Sequence, residues 1–253
     1  MSDAKSDLAN EMANAKNPGA KILKPRDAAT LIIVDRSEGE PRILLGKRRA
    51  DLAFMAGKYV FPGGRVDRAD LRVKAADDLR PEELVKLQAE VRGRPSVARA
   101  RALAAAAIRE AFEEAGIVIG SPGHHTGSAA APTWAAFYAT GHLPSFAGMT
   151  FLARAITPPG RPRRFDTRFF CIDASAIVQR LPIVDGELSG LDWLTLDAAR
   201  TLDLPAITRV VLDDLREQLD TGSLGDSRRP TPFYFKRNGS FRRDLIRTES
   251  TLD

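Results

Sequence analysis

At 253 residues, with 43% hydrophobic and 28% charged side chains, the chain has the make-up of a globular protein able to bury a full core. No apolar run approaches the ~18 residues of a membrane span, and the polar first 17 residues lack the apolar centre of a secretory signal. The net charge of +5 is modest, and the single cysteine, Cys171, excludes an internal disulfide, so the composition points to a reducing, cytoplasmic setting.

In chain order, residues 1–19 show no periodicity and read as a flexible leader. Residues 28–34 (Ala-Ala-Thr-Leu-Ile-Ile-Val) are a short apolar, branched run, hence a buried strand. A turn cluster over 36–41 leads to a returning strand at 42–47. Tyr59-Val60-Phe61 runs into Pro62-Gly63-Gly64, where two glycines let the backbone bend sharply and approach a ligand. Residues 71–97 are charged, with one helix opened by Pro81-Glu82-Glu83. A long alanine-rich helix over 98–115 stops at Gly116. After a loop at 120–131 containing His124 and His125, residues 134–139, 149–156 and 164–172 read as strands. Cys171 falls in the last of these as a buried small hydrophobe. Residues 196–202 and 207–219 look helical. The runs 233–237 and 240–242 flank Asn238-Gly239, a strong hairpin signal. Interleaved strands and helices give a mixed α/β class. Seven Lys or Arg residues between Arg228 and Arg247 mark 221–253 as a basic extension, read as solvated or loosely docked.

The most informative stretch is Arg109-Glu110-Ala111-Phe112-Glu113-Glu114-Ala115-Gly116-Ile117. At roughly 100° per residue, Glu110, Glu113 and Glu114 gather on one side of the helix, within about 100° of arc. Ala104, Ile108, Ala111, Phe112 and Ala115 form the opposite, core-facing stripe. Like charges this close repel, and a bridging cation turns that cost into a gain. Hard carboxylate oxygens suit Mg²⁺ or Mn²⁺. Alternation also puts Arg164, Asp166 and Arg168 on one face of their strand, as a phosphate clamp or a cross-strand ion network. Lys47, Arg48 and Arg49 form a second basic cluster with the same two readings. Trp134 and Trp193 read as packing residues before base-stacking ones, and the histidines lack zinc-ligand spacing.

Gly63-Gly64 ahead of 109–117 resembles the signature of the Nudix hydrolases. In that signature a glycine, five residues, a glutamate and seven residues precede Arg-Glu-aliphatic-x-Glu-Glu-x-Gly-aliphatic. The second half matches, with Ala111 small for the aliphatic position. The first half is split: Gly64 plus five residues reaches Asp70 instead of glutamate, and 38 residues, 71–108, replace the usual seven. An insertion of this kind is similar to the branch containing the peroxisomal coenzyme A diphosphatases and their bacterial relatives. The approach to the box (45–48 and 58–67), the run 163–170, and Asp185-Gly186-Glu187 ahead of Asp192-Trp193-Leu194 resemble that branch too. The resemblance covers about residues 26–215. It departs at 53–56, where an arginine of the coenzyme A-specific pattern is missing.

The resemblance implies an α/β/α sandwich with a mixed sheet and a helical insertion, a domain spanning 20–220 with 71–98 inserted in the box. It also implies divalent-metal-dependent hydrolysis of the diphosphate linkage of a nucleoside diphosphate joined to another moiety. Coenzyme A or acyl-CoA is the substrate expected from the branch; an NADH- or ADP-ribose-type diphosphatase and a non-catalytic nucleotide-binding module are the alternatives. Glu110, Glu113 and Glu114 are then the metal ligands, completed by a backbone carbonyl of Gly63 or Gly64, with Gly64 preferred. Arg109 orients a box glutamate through a bidentate pair. Glu187 is the general base, with Glu113 the other choice, and Arg48, Arg164 and Arg168 contact the substrate. Asp70 either replaces the first box glutamate or caps the insertion. The insertion reads as a lid, a dimer contact or a passive excursion, which leaves a homodimer open. A membrane partner is excluded, and an RNA-binding role for the basic tail ranks low, since aromatic-basic interleaving is confined to one hairpin.

Overall fold

The computed structural model describes residues 3–14, 23–51, 56–125, 131–183 and 186–248. Strand β1 (Arg26–Asp35) is apolar on both sides, and alternation sends Ala29, Leu31 and Ile33 to one core and Ile32 and Val34 to another. Leu44 of β2 (Arg42–Arg48) joins the first core, while Ile43 and Leu45 join the second. Short strands β3 (Tyr59–Val60) and β4 (Gly63–Arg65) pair with β2 and β1, and a single 3₁₀ turn follows at Ala69–Arg72. Helices α2 (Pro81–Gln88) and α3 (Val97–Ala115) come next, then β5 (Ile117–Pro122), α4 (Pro132–Tyr138) and β6 (His142–Pro144). Strands β7 (Thr150–Ile156), β8 (Phe165–Asp173), β9 (Ile177–Arg180) and β10 (Leu188–Thr195) precede α5 (Leu196–Arg200) and α6 (Ala206–Asp220). The hairpin β11 (Thr231–Arg237) and β12 (Ser240–Ile246) closes the described chain.

The main sheet runs β10-β2-β1-β8-β7-β11-β12, and it is mixed: β1 and β8 are parallel, as are β7 and β11. Helices α2, α3 and α4 cover one face; α5, α6 and α1 (Asp3–Asn14) cover the other. This is the expected α/β/α sandwich with a mixed sheet. A smaller sheet, β6-β5-β9, carries the chain away from the C-terminus of α3. Among the described residues no helix is long and apolar enough to cross a membrane.

Several sequence expectations need correction. Residues 3–14 form a helix, not a structureless leader, and its Ala4 and Leu8 are buried in the second core. Residues 134–138 belong to α4 and not to a strand. Trp134, Phe137 and Tyr138 recur at i, i+3 and i+4, and this helical spacing outweighs the strand propensity of aromatics. Pro132 at the first helical position opens the element. The insertion is a packed part of the domain: Leu79 and Leu87 enter the first core, and buried Lys86 pairs with buried Glu83 at 2.9 Å. Glu83 Oε2 in turn accepts the Phe151 N–H of β7.

The basic C-terminal segment is likewise no loose extension. Asn238 (φ 51°) and Gly239 (φ 79°) make the hairpin turn, and β11 extends the sheet beside β7. Phe233 and Tyr234 are buried in the two cores, and Tyr234 Oη donates to Asp214 of α6 at 2.6 Å. Ending the chain at Gly222 removes both aromatics, each worth about 3–5 kcal/mol against a net stability of about 5–15 kcal/mol. The shortened protein is expected to lose its cooperative thermal transition in circular dichroism. An unchanged melting temperature would restore the reading of a dispensable tail.

Candidate active site

Helix α3 begins at Ser96, whose hydroxyl accepts the Arg99 N–H, and ends at Gly116 in the left-handed region (φ 63°). Gly116 N–H closes on Phe112 O at 3.0 Å, and its carbonyl takes Leu181 N–H at 2.8 Å, tying the helix end to the chain beyond β9. The buried face is alanine-rich (Ala104, Ala107, Ala111), which lets the helix axis lie close to the sheet. That closeness brings the flanking glutamates onto β4.

Both glycines of β4 are required by packing. They have ordinary extended backbone, so the expected sharp bend is replaced by a short strand against β1. A Cβ on Gly64 would lie 2.5 Å from Glu110 Cδ; one on Gly63 would lie 2.8 Å from Ala29 O. Gly63 N–H donates to Glu114 Oε2 at 2.9 Å. The Gly64 preference for the metal-facing carbonyl does not survive this register. Leu31 N–H bonds Pro62 O and Val66 N–H bonds Asp27 O, so Ala29↔Gly64 is the hydrogen-bonded pair between them. The carbonyl of Gly64 therefore points at β1, and that of Gly63 points the other way, beside Glu114.

Arg109 ties the acids together. Its Nε and Nη2 reach Asp70 Oδ1 and Oδ2 (3.0 and 3.2 Å), Nη1 reaches Glu110 Oε1 and Glu113 Oε2 (both 2.8 Å), and Nη2 also reaches Arg65 O (2.7 Å). The bidentate partner is thus Asp70, not a box glutamate. Asp70 is buried and also accepts the indole N–H of Trp134 and the Asp67 N–H, which makes it both a partner of Arg109 and a brace for the start of the insertion.

Arg48 lies between Glu114 and Glu187. Its Nη2 donates to Glu187 Oε2 at 2.8 Å, and Nη1 is 3.9 Å from Glu114 Oε1. Glu187 itself is held by Arg49 N–H on its carbonyl, and Gly186 lies against the end of α3. Arg48 thus links the late-loop glutamate to Glu114 of the helix. Burial pushes the Glu114 carboxyl up to about 8, outweighing the Gly63 hydrogen bond, with Glu110 and Glu187 adding repulsion. Burial likewise pushes Glu110 up to about 6 against the pull of Arg109.

Arg164 and Arg168 do not join this cluster, and their assignment to the substrate is corrected. Arg168 has no exposed surface and pairs with Asp166 and Asp27. Arg154 binds Asp166, Arg99 binds Asp27, and Arg164 donates to the carbonyls of Thr157 and Leu23. Arg99 is eleven residues before Glu110, about 16 Å along the helix. The cross-strand ion network is the reading that stands. Trp134 is a core residue, Trp193 lies under Arg180 (5.4 Å), and His125 stacks on Tyr138. Burial pushes the Cys171 thiol up to about 12, an inert core group.

Among the described residues no three acidic, histidine or cysteine side chains converge as a ready metal cage, because Arg109 and Gly63 hold the glutamates. The chemistry of the donors nevertheless fits a hard divalent ion: every candidate atom is oxygen, and burial makes the charged form of the Glu110 and Glu114 carboxyls costly without a cation beside them.

No protein-family model matches the chain. A Caenorhabditis elegans protein bearing a provisional name, nudix hydrolase 7, is 28% identical over 183 residues, 67% of this chain and 51% of that protein. The chain thus spans about half the length of the curated relative it matches. Among solved structures, a NUDIX hydrolase from Alicyclobacillus acidocaldarius superposes with a TM-score of 0.56 at 24% identity, covering 75% of this chain and 90% of that one. The fold is that of the Nudix hydrolases.

Two outcomes test the geometry. Gly64→Ala is expected to lower stability by about 1–3 kcal/mol through the clash with Glu110. Gly190→Ala, where a Cβ meets nothing within 4 Å, should be near neutral; equal melting temperatures for the two would contradict the packing. Burial alone would raise the Asp27 carboxyl, but the Arg99 hydrogen bonds and the Arg168 charge outweigh it and hold it below 3.8. Its contribution is therefore present above pH 3.8 and fades as acid protonates the lower folded value. Asp27→Asn should cost more stability in urea titrations at pH 7 than at pH 3. A pH-independent penalty would exclude the ion network as the cause.

Proposed function

We propose that this chain is a Nudix hydrolase that uses Mg²⁺ or Mn²⁺ to cleave the diphosphate linkage of a nucleoside diphosphate joined to another moiety. The observation that carries this reading is the placement of Glu110 and Glu114. Both are withdrawn from water against the Gly63–Gly64 strand, and burial raises the pKa of both despite Arg109 beside Glu110 and the Gly63 N–H on Glu114. Glu110, Glu113 and Glu114, with the Gly63 carbonyl, would hold the ion. When bound, it neutralises diphosphate oxygens and lowers the pKa of a water molecule.

The chain's own groups supply the rest. Arg109 fixes the Glu110 and Glu113 carboxylates by donating to both. Glu187 accepts the proton of the attacking water, and Arg48 holds its carboxylate in place at 2.8 Å. Arg48 also remains the candidate for a substrate phosphate, since it is the one predicted substrate arginine within the cluster. Attack breaks one P–O bond of the anhydride and releases a nucleoside monophosphate and a second phosphorylated product.

Coenzyme A or an acyl-CoA is the substrate we favour, on the split of the box between Asp70 and Arg109. The residues bearing on the missing arginine of that pattern fall largely within 52–55, outside the described residues. A screen of coenzyme A, acyl-CoA, NADH and ADP-ribose separates the branch from its alternatives, and binding without product would identify a non-catalytic module.

Glu114→Gln is expected to reduce Mg²⁺-dependent release of nucleoside monophosphate by roughly a hundredfold or more. Excess chelator should stop the unaltered protein. Hydrolysis that persists in chelator would overturn the metal-dependent reading.

A further inference from the structure

We infer that Trp134 is a positioning residue for the box glutamates, acting through Asp70 and Arg109. The inference rests on the function just proposed for that site. Trp134 is buried, and its indole Nε1 donates to Asp70 Oδ1 at 2.9 Å. Indole has one donor and no acceptor, so this contact has a single polarity and no substitute partner.

Asp70 takes four donors in all. Oδ1 receives Trp134 and Arg109 Nε, while Oδ2 receives the Asp67 N–H (2.7 Å) and Arg109 Nη2. These fix a carboxylate that is buried and one methylene shorter than a glutamate. From there Arg109 Nη1 reaches Glu110 and Glu113. Three successive hydrogen bonds therefore connect the indole to the acids. Without the N–H, Oδ1 loses one of two donors in a buried setting, and the carboxylate can turn away from the plane that Arg109 requires.

Helix α4 suits this role because it also grips the start of the insertion. Tyr138, one turn after Trp134, accepts the Lys74 N–H at 3.1 Å and donates to the Lys74 carbonyl at 3.3 Å. The aromatic face of α4 thus holds residues 70–74 at two points. The split box is rejoined through a helix that lies outside it.

Trp134→Phe keeps a ring in the core and removes the N–H. Mn²⁺ binding, measured by calorimetry without substrate, is expected to weaken about tenfold. Turnover should fall by a similar factor while KM stays within about twofold. Asp70→Asn should behave alike, and the double variant should be scarcely worse than either single one. Additive losses, or unchanged Mn²⁺ affinity in Trp134→Phe beside a loss in Asp70→Asn, overturn the inference.

A second measurement needs no change at Trp134. The chain has two tryptophans, so ¹⁵N labelling gives two indole signals, told apart with Trp193→Phe. Saturating Mg²⁺ should shift the Trp134 signal in the unaltered sequence, and a stationary signal with Mg²⁺ bound overturns the link even if Trp134→Phe fails to fold. Unaltered protein that binds neither ion and hydrolyses nothing defeats the proposed function instead.

Discussion

A guanidinium carries five N–H donors in one plane, and burying it is costly unless acceptors meet them. Arg109 is buried and finds five acceptor atoms: both oxygens of Asp70, one each from Glu110 and Glu113, and the Arg65 carbonyl. Burial alone would lower its pKa, yet Asp70, Glu110 and Glu113 together push it above the ordinary arginine value. Arg168 shows the contrary case within the same molecule. Its Nε and Nη2 have no partner among the described residues, and burial holds its pKa down to about 10 despite Asp166 and Asp27. The acids around Arg109 are therefore fixed in place by a charge that cannot leave. That is how Asp70, Glu110 and Glu113 can share one side of the helix, while Glu114 is held separately by the Gly63 N–H.

The glutamate face was legible because helical period is a local property. Residues 104–115 set which side is apolar, and the structure buries Ala104, Ile108, Ala111 and Ala115 while leaving Glu110, Glu113 and Glu114 on the flank. Gly116 was legible for the same reason, as a left-handed cap needs only its own φ. Which carbonyl of Gly63-Gly64 faces the acids was not legible. It depends on the register of β4 on β1, a pairing between residues some 35 positions apart. Arg164, Asp166 and Arg168 were placed on the correct face, but a face does not name its partner. Asp27 and Arg154 arrive from other strands, Arg99 from a helix, and together they absorb the charge.

Charged sequence misleads most where it is buried. Residues 71–98 read as a lid, a dimer contact or a passive excursion, yet Glu83 and Lys86 are among the most buried side chains of the described residues. An i, i+3 pair is visible in sequence; that both ends lie under β7 and the segment before β11 is not. The same holds for the hairpin. Asn238-Gly239 announced the turn, but the parallel pairing of β11 with β7 that makes it integral is a long-range contact. Helix α1 was missed because it is polar overall, and among its described side chains Ala4 and Leu8 are the buried ones, a weak signal without α6 beside them.

These pieces explain how a 38-residue interruption leaves the acids of the box in register. Loop-closure entropy rises slowly with length, by about 0.6 kcal/mol per doubling, so the added chain costs little in itself. The greater hazard is motion at its ends, which would carry Asp70 away from Arg109. Both ends are anchored independently of the glutamates. Asp77 accepts the backbone N–H groups of Phe146 and Ala147, and Tyr138 clasps Lys74, which together pin the start. Leu79, Leu87 and the Glu83–Lys86 pair hold the middle, and Arg99, bonded to Asp27, pins the exit at the first turn of α3. The anchors reach separate parts of the main body: α4, the turn after β6, β7 and β1. The insertion therefore behaves as part of the scaffold, and the distance from Asp70 to Arg109 is set by the sheet and not by the length of chain between them.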